Sequence, residues 1–536
     1  MDLTIKEIAQ ACGGELVVQG GKADGDTCVS SVVIDSRAVE PGGVFIATVG
    51  ERVDGHSFIA AAFAKGAVLA VTQKRPEEME RDGSAGAGGE AVASAAGTWG
   101  CYILVEDTLQ ALKDIAEAYR KKLSIKIVGI TGSVGKTSTK EFIAGVLAEK
   151  YRVLKTEGNF NNEIGVPLTL LRIRGEHETA VVEMGISDFG EMHRLSKMVR
   201  PNVCVMTNIG QSHLNNLKDR DGILRAKSEI FDFMAPDGEI CLNGEDDKLS
   251  ALTEIKGHKP HFFGFGSNPA QEVAAVDIVS RGLWGSDATL VMAQACSARD
   301  SACRLAVHVP QPGRHMVLNA AAAACVARLL GLSGEQIAAG IGKVAAVSGR
   351  THIISHPHYT IIDDCYNANP ASVKAALDLL ALADTRKVAI LGDMLNLGEN
   401  SRQLHEEIGS YAVAVGIDTI YCVGEESLSM YRAAKQAADQ AGTNHTADGT
   451  ATDRKNRTAN GTEEDWKNQT AAQTVAEQET EEKVQPPRRI SHYPHRKELI
   501  EEMANRRSGL IPEGSTILIK ASHDMGFAEI LEFLQN

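Results

Sequence analysis

A strand, a glycine-rich turn and a helix follow one another without a gap between residues 125 and 147. Residues 125–130 read Ile-Lys-Ile-Val-Gly-Ile, residues 131–137 read Thr-Gly-Ser-Val-Gly-Lys-Thr, and Phe142, Ile143, Val146 and Leu147 then fall on one helical face. The apolar spacing changes from strand to helix across the turn, which commits the chain locally to a βα unit. A turn of this kind lets backbone N–H groups converge on phosphate oxygens, and the helix N-terminus adds its positive dipole end. The motif predicts a phosphate cradle built from Thr131, Gly132, Ser133, Val134, Gly135, Lys136, Thr137 and Ser138. In it Lys136 reaches the β- and γ-phosphates and the Thr137 hydroxyl ligates Mg²⁺. Ile130 occupies the place of the first glycine in the commoner G-x-x-x-x-G-K-[ST] pattern, so the match is T-G-x-x-G-K-T. A phosphate loop alone does not choose between a motor, a kinase, a switch and a ligase.

The rest of the chain is read around that unit. Its 536 residues are enough for about three domains. The first runs over 1–122 and includes a helical pattern at Thr108–Lys121. The second runs over 123–346, with strands at Ile125–Ile130, Thr179–Met184 and Val203–Ile209. The third runs over 347–536, with strands at Thr360–Asp364, Lys387–Leu391, Thr419–Val423 and Ser515–Lys520. Helices are expected there at Pro370–Ala383, Arg402–Val415 and Phe527–Leu534. Alternating strands and helices predict an α/β protein: parallel sheets covered by helices, the last domain Rossmann-like but without a G-x-G-x-x-G fingerprint. Residues 79–100 are rich in Gly, Ala and Ser, and residues 438–488 are polar with few large apolar groups. Both read as flexible surface insertions. The N-x-T triplets at Asn456, Asn460 and Asn468 carry no meaning in a cytosolic chain.

Composition removes several alternatives. A net charge of −15 argues against a general nucleic-acid binder. No basic segment followed by an apolar core opens the chain, and no apolar run reaches about 18 residues, so neither a secretory signal nor a membrane span is expected. Ten scattered cysteines with no C-x-x-C pair suggest reduced cytoplasmic thiols.

Further polar residues stand where an open α/β sheet collects its ligands, at the carboxyl ends of strands. Glu183 ends the strand Thr179-Ala-Val-Val-Glu, and buried parallel strands seldom carry a glutamate for packing alone. Asn208 ends the next strand, with His213 just beyond. A lone loop histidine reads as readily as surface as it does as a ligand. Lys227, in Leu224-Arg-Ala-Lys-Ser-Glu-Ile-Phe231, reads from composition as a solvated helical lysine. Asn159, Asn161 and Asn162 precede an apolar helix, where turn chemistry and a binding role are equally good explanations.

Taken together and in order, T-G-S-V-G-K-T, N-F-N-N-E-I-G-V-P-L-T-L-L, V-E-M-G, T-N-I-G-Q-S-H-L and A-K-S-E-I-F resemble the central domain of the Mur ligases and their folylpolyglutamate synthetase relatives. Pro312–Asn319, Ile361–Pro370, Leu391–Met394 and the run Asp35-Ser-Arg…Asp54-Gly-His56 are similar to the branch that adds D-alanyl-D-alanine. The resemblance implies three domains and an ATP-dependent ligase that joins D-alanyl-D-alanine to a UDP-linked muramoyl tripeptide. It implies ATP as co-substrate, two Mg²⁺ ions and a monomer. Within it, Lys136, Glu183, His213, Lys227 and Arg350 are the catalytic set, and Thr137, Glu183, His213 and a carbamoylated Lys227 hold metal. Asn319, Arg350 and Asp364 contact ATP. Asp35, Ser36, Arg37, Asn159, Asn162, Asn367 and Asn369 contact the other substrates. Two places depart from the family pattern: Asn396 stands where an acidic residue is expected, and Lys520-Ala-Ser-His523 where K-G-S-R is expected. The Asp35-Ser-Arg run argues against a folylpolyglutamate synthetase, and the intact polar set argues against a non-catalytic nucleotide-binding scaffold.

Overall fold

The computed structural model describes residues 1–19, 23–50, 53–76, 78, 100–266, 271–292, 303–346, 348–447, 489–505 and 507–535. The chain forms two compact units, Met1–Ala345 and Ala346–Asn536.

The first unit holds two sheets among the described residues. One contains β1 (Glu15–Val17), β2 (Val32–Val33), β3 (Val44–Ile46), β4 (Leu69–Thr72) and β5 (Cys101–Leu104), in the order β1-β5-β4-β3-β2. Only the β1–β5 pairing is antiparallel. The second contains β6 (Lys126–Thr131), β7 (Val153–Lys155), β8 (Thr179–Glu183), β9 (Val203–Met206), β10 (Glu239–Asn243), β11 (His261–Gly264), β12 (Gln271–Ser280), β13 (Ser286–Met292) and β14 (Cys303–Val309). Its order is β14-β13-β12-β11-β10-β9-β6-β8-β7, with β6 near the middle. The strands are parallel up to β12, and β12–β14 then run antiparallel. That antiparallel extension has no counterpart in the sequence reading.

The helix Thr108–Lys122 joins the two sheets into one core. Asp107 caps it by accepting from the Leu109 and Gln110 amides. Ala111, Leu112 and Ile115 pack in the same cluster as Val44 and Leu69 of the first sheet and Ala180 and Val182 of the second. Arg120, buried on this helix, donates to the carbonyls of Val199, Leu123 and Arg200. The other face of the second sheet is covered by the helices Lys136–Leu147 and Arg314–Leu329. The latter is buried almost all round, and its run Ala320–Ala324 has no bulk to hold neighbours away.

The second unit is a six-stranded sheet of β15 (His352–Ser355), β16 (Thr360–Asp363), β17 (Lys387–Gly392), β18 (Thr419–Val423), β19 (Arg489–Tyr493) and β20 (Thr516–Lys520). Its order is β15-β16-β20-β17-β18-β19, parallel except at β15. Asn369 opens the helix Pro370–Ala381 with a reciprocal cap and a proline in the first turn. The helix Ser427–Ala447 corrects one expectation. It continues into 438–447, which had read as part of a non-globular insertion, because its earlier turns anchor it in the core through Met430 and Ala434. The remainder of that insertion, with Asn456, Asn460 and Asn468, and residues 79–99 of the first insertion lie outside the described residues. Asn396 has φ +62°, a backbone conformation that asparagine tolerates better than most residues, which gives a local reason for its presence. Ala521 is fully buried facing Gly392, whose missing side chain leaves room for the extra methyl.

Among the described residues no helix is long and apolar enough to cross a membrane, and the described cysteines are free.

Candidate active site

The phosphate loop sits at the carboxyl end of β6, between β8 and β9. Gly132 has φ +149°, and a Cβ there would lie 1.9 Å from the Thr207 hydroxyl oxygen, so only glycine fits. Gly135, at φ +82°, is the N-terminal cap of the helix and offers no side chain to its first-turn N–H groups, which leaves them for an anion. Asn208 clamps the loop from the neighbouring strand end. It accepts from the Ser133 amide through its backbone oxygen and from the Val134 amide through its side-chain oxygen, and its side-chain nitrogen donates to the Val134 carbonyl. Ser133 Oγ accepts from the Gly210 amide, and the Thr207 hydroxyl donates to the Val134 carbonyl. Lys136 Nζ lies 2.9 Å from the Gly132 carbonyl oxygen. Thr131 Oγ1 is buried without a partner among the described residues. Ser138 is half-buried in the first turn. Asn319, on the long buried helix, accepts from the Thr139 hydroxyl at 2.9 Å, and its amide oxygen lies 3.7 Å from where a Gly135 side chain would begin.

Glu183 is 1 % exposed at the end of β8. The Thr137 hydroxyl donates to its Oε2 at 2.8 Å and the Asn161 amide donates to its Oε1 at 2.8 Å. Lys140 Nζ stands 3.8 Å from Oε2. This oxygen-rich pair of Thr137 and Glu183, beside the loop, suits a hard divalent cation such as Mg²⁺.

Lys227 overturns the solvated reading. It is 2 % exposed on the helix Arg220–Ser228, and no carboxylate pairs with it among the described residues. Burial, and then the Lys136 charge, depress its ammonium pKa well below 10.5. His213, at φ +60°, is reached by solvent. The protein around its ring, followed by the Lys227 and Lys136 charges, nevertheless lowers its pKa from 6.5. Lys136, His213 and Lys227 are thus close enough to act on one another. A cavity of about 500 Å³ opens beside them, lined among others by Lys136, Asn161, Asn162, Gly185, Ser187 and His213.

Asn162 lines the cavity, and its side-chain oxygen also accepts from the Ile164 and Gly165 amides at the start of the following helix. Asn159 is exposed in the preceding turn. Asp35 caps the short turn Ser36–Ala38 and forms an exposed bidentate pair with Arg37, and none of Asp35, Ser36 and Arg37 lines the cavity. In the second unit, the Arg350 guanidinium lies 4.1 Å over the Tyr366 ring, and the His523 ring packs 5.4 Å from Tyr366. The Asp364 carboxylate is taken up by Lys520 at 2.5 Å and by the Thr351 amide. Lys520 also donates to the Asn367 carbonyl, and Asn369 serves as a helix cap. Sequence reasoning did not weigh Asn208 as a loop clamp, nor Asn161, Thr156 and Lys140 as partners of Glu183. The amide cluster and the second lysine of Gly-Lys-Thr-Ser-Thr-Lys140 were the visible signals.

Three family patterns match in chain order: the Mur ligase family catalytic domain over residues 29–120, the Mur ligase middle domain over 130–327, and the Mur ligase glutamate ligase domain over 349–460. A UDP-N-acetylmuramoyl-tripeptide–D-alanyl-D-alanine ligase of Bacillus subtilis (strain 168) is 34% identical over 429 residues, 79% of this chain and 85% of the relative. The protein of that name from Escherichia coli (strain K12) is 31% identical over 428 residues, 80% of this chain and 87% of the relative. A crystal structure of MurF from Acinetobacter baumannii superposes with a TM-score of 0.75 at 27% identity, covering 99% of this chain and 98% of that one. A MurF ligase from Thermotoga maritima in complex with ADP shares the fold at a TM-score of 0.68, covering 94% and 97%. With these matches spanning most of its length and a phosphate loop built as described, the chain belongs to the Mur ligase family.

Proposed function

We propose that this chain is the ATP-dependent ligase that joins D-alanyl-D-alanine to UDP-N-acetylmuramoyl-tripeptide, giving the muramoyl pentapeptide used for cell-wall synthesis. The observation that carries the reading is the identity of about a third, over four fifths of the chain, to relatives that bear this name. The phosphate loop and the buried Glu183 supply matching chemistry.

A carboxylate does not condense with an amine at neutral pH. The tripeptide's terminal carboxylate attacks the γ-phosphorus of ATP and ADP leaves. The D-alanyl-D-alanine amine then attacks the acyl phosphate and phosphate leaves. Phosphoryl transfer of this kind depends on positioning and charge neutralisation more than on covalent help. In our reading Lys136 and the open N–H groups of the helix start hold the β- and γ-phosphates. Thr137 and Glu183 would hold one Mg²⁺, and His213 with a carbamoylated Lys227 a second. The metal would supply charge neutralisation at the transferring phosphoryl group. The neutral amine favoured at Lys227 by burial is the form that takes up CO₂. From the resemblance we assign Asn319, Arg350 and Asp364 to ATP. On the same basis we assign Asp35, Ser36, Arg37, Asn159, Asn162, Asn367 and Asn369 to the muramoyl peptide and dipeptide. We likewise propose domain limits of 1–122, 123–346 and 347–536, a cytoplasmic location and a monomer.

The test is ADP release from the purified chain with ATP, Mg²⁺, UDP-N-acetylmuramoyl-tripeptide and D-alanyl-D-alanine. Release must require both acceptor and donor. Equal turnover with a pteroyl substrate would contradict the reading.

A further inference from the structure

Lys136 begins the phosphate-loop helix, and one turn later a second lysine, Lys140, is directed into the protein. It is 1 % exposed. Its Nζ lies 2.7 Å from the Thr156 carbonyl oxygen, 3.4 Å from the Gly158 carbonyl oxygen, 3.3 Å from Glu141 Oε1 and 3.8 Å from Glu183 Oε2. The two carbonyl contacts fall on a single turn, beside the end of β8 that carries Glu183. The Thr156 hydroxyl accepts from the Glu183 amide at 3.0 Å, so Thr156 is tied to Glu183 by its side chain and to Lys140 by its carbonyl. Gly158, at φ +50°, leads into Asn159-Phe-Asn161. Asn161 donates to Glu183 Oε1, and its own carbonyl accepts from the Gly185 amide at 2.7 Å. A Cβ at Gly185 would meet the Asn161 side chain at 2.9 Å, so the turn lies flush against the strand end.

We propose that Lys140 is a positioning residue for Glu183: its buried ammonium holds the 156–161 turn against the end of β8, and so keeps Asn161 on one carboxylate oxygen while the other faces Thr137. An ammonium suits this task because its three donors can serve two carbonyls while its charge offsets that of a buried carboxylate. The strut rests on the geometry alone. Its consequence for the metal rests on the proposed function, in which Glu183 is a ligand. A purely structural lysine would also satisfy the two carbonyls, but its removal would not change how tightly Mg²⁺ is held. A lysine acting only as a competing cation would, when removed, tighten Mg²⁺ binding.

The experiment compares the full-length chain with Lys140→Met and with Val146→Ala, a core truncation on the same helix that serves as a control for general loss of stability. Two readouts are taken: hydrogen exchange at the Asn161 and Gly185 amides, and the Mg²⁺ concentration that half-saturates ADP binding by calorimetry. Lys140→Met is expected to speed exchange at both amides at least about tenfold, because the turn then opens locally. It is expected to raise the Mg²⁺ half-saturation at least about fivefold, as for the loss of an oriented ligand. Val146→Ala should do neither. In Lys140→Met, unchanged exchange, or a Mg²⁺ half-saturation that is unchanged or lowered, overturns the proposal. Should Lys140→Met not fold, Lys140→Gln, which keeps one donor for Thr156, carries the same expectation at about threefold in each readout. Failure of the unmodified chain to bind ADP with Mg²⁺ counts against the proposed function, and the exchange data then decide the strut by themselves.

Discussion

Lys227→Met separates stability from activity in one substitution. The parent chain buries an amine with no carboxylate beside it among the described residues and with the Lys136 charge near by. Burying an uncompensated polar group costs about 1–3 kcal/mol on mutational scales, and methionine nearly matches the side chain's length without that cost. The variant should therefore be more stable at neutral pH, by about 2–6 °C in Tm for units of this size. The pH dependence has a fixed sign. The folded chain releases the Lys227 proton below 10.5, whereas an unfolded lysine holds it to about that value. Between the depressed value and 10.5 the unfolded state binds more protons, so the parent's stability rises with pH across that window. The stability gap between variant and parent should be largest below the window and shrink as pH approaches 10.5. Turnover should move the other way: a chain that cannot carry a carbamate should lose at least about 10²-fold, some 3 kcal/mol of transition-state stabilisation. Chemical denaturation between pH 6 and 10, beside ADP-release kinetics with and without bicarbonate, measures both. A variant that is less stable at every pH, or that turns over like its parent, refutes the reasoning.

Lys136→Ala should lower kcat at least about 10²-fold with little change in Tm, since one preorganised charge at a developing anion supplies about 3–4 kcal/mol; near-normal turnover would remove the loop from the mechanism. Gly132→Ala should fold, yet lose nucleotide binding by calorimetry, at least about tenfold in Kd, because the new methyl overlaps the Thr207 hydroxyl and pushes the loop off its clamp; an unchanged Kd would show that the loop is free to move aside.

Local pattern was enough for the strand, glycine turn and helix start of the proposed nucleotide site. Glycines that only a positive φ explains, a lysine and threonine at the helix start, and a glutamate closing an apolar strand are all consequences of short-range chemistry, and each was legible where it stands. The parallel α/β character followed from alternating periodicity in the same way.

Long-range packing decided what the pattern left open. Lys227 read as surface because a helical lysine usually is, and only the meeting of its helix with the strand ends buried it beside Lys136. The antiparallel strands β12–β14 lie at the far edge of the central sheet, and edge pairing depends on which neighbour arrives, not on the strand's own sequence. The helix Ser427–Ala447 ran into a polar stretch because its early turns, anchored by Met430 and Ala434, carry the rest. Lys140, Thr156 and Asn161 are separated from Glu183 by between 22 and 43 residues, and no local rule joins them. Sequence by itself determined the strand, turn and helix start proposed to hold phosphate, because consecutive residues make that turn. Tertiary structure decided how Glu183 is aimed and which lysine loses its proton, because burial and proximity belong to the folded chain as a whole.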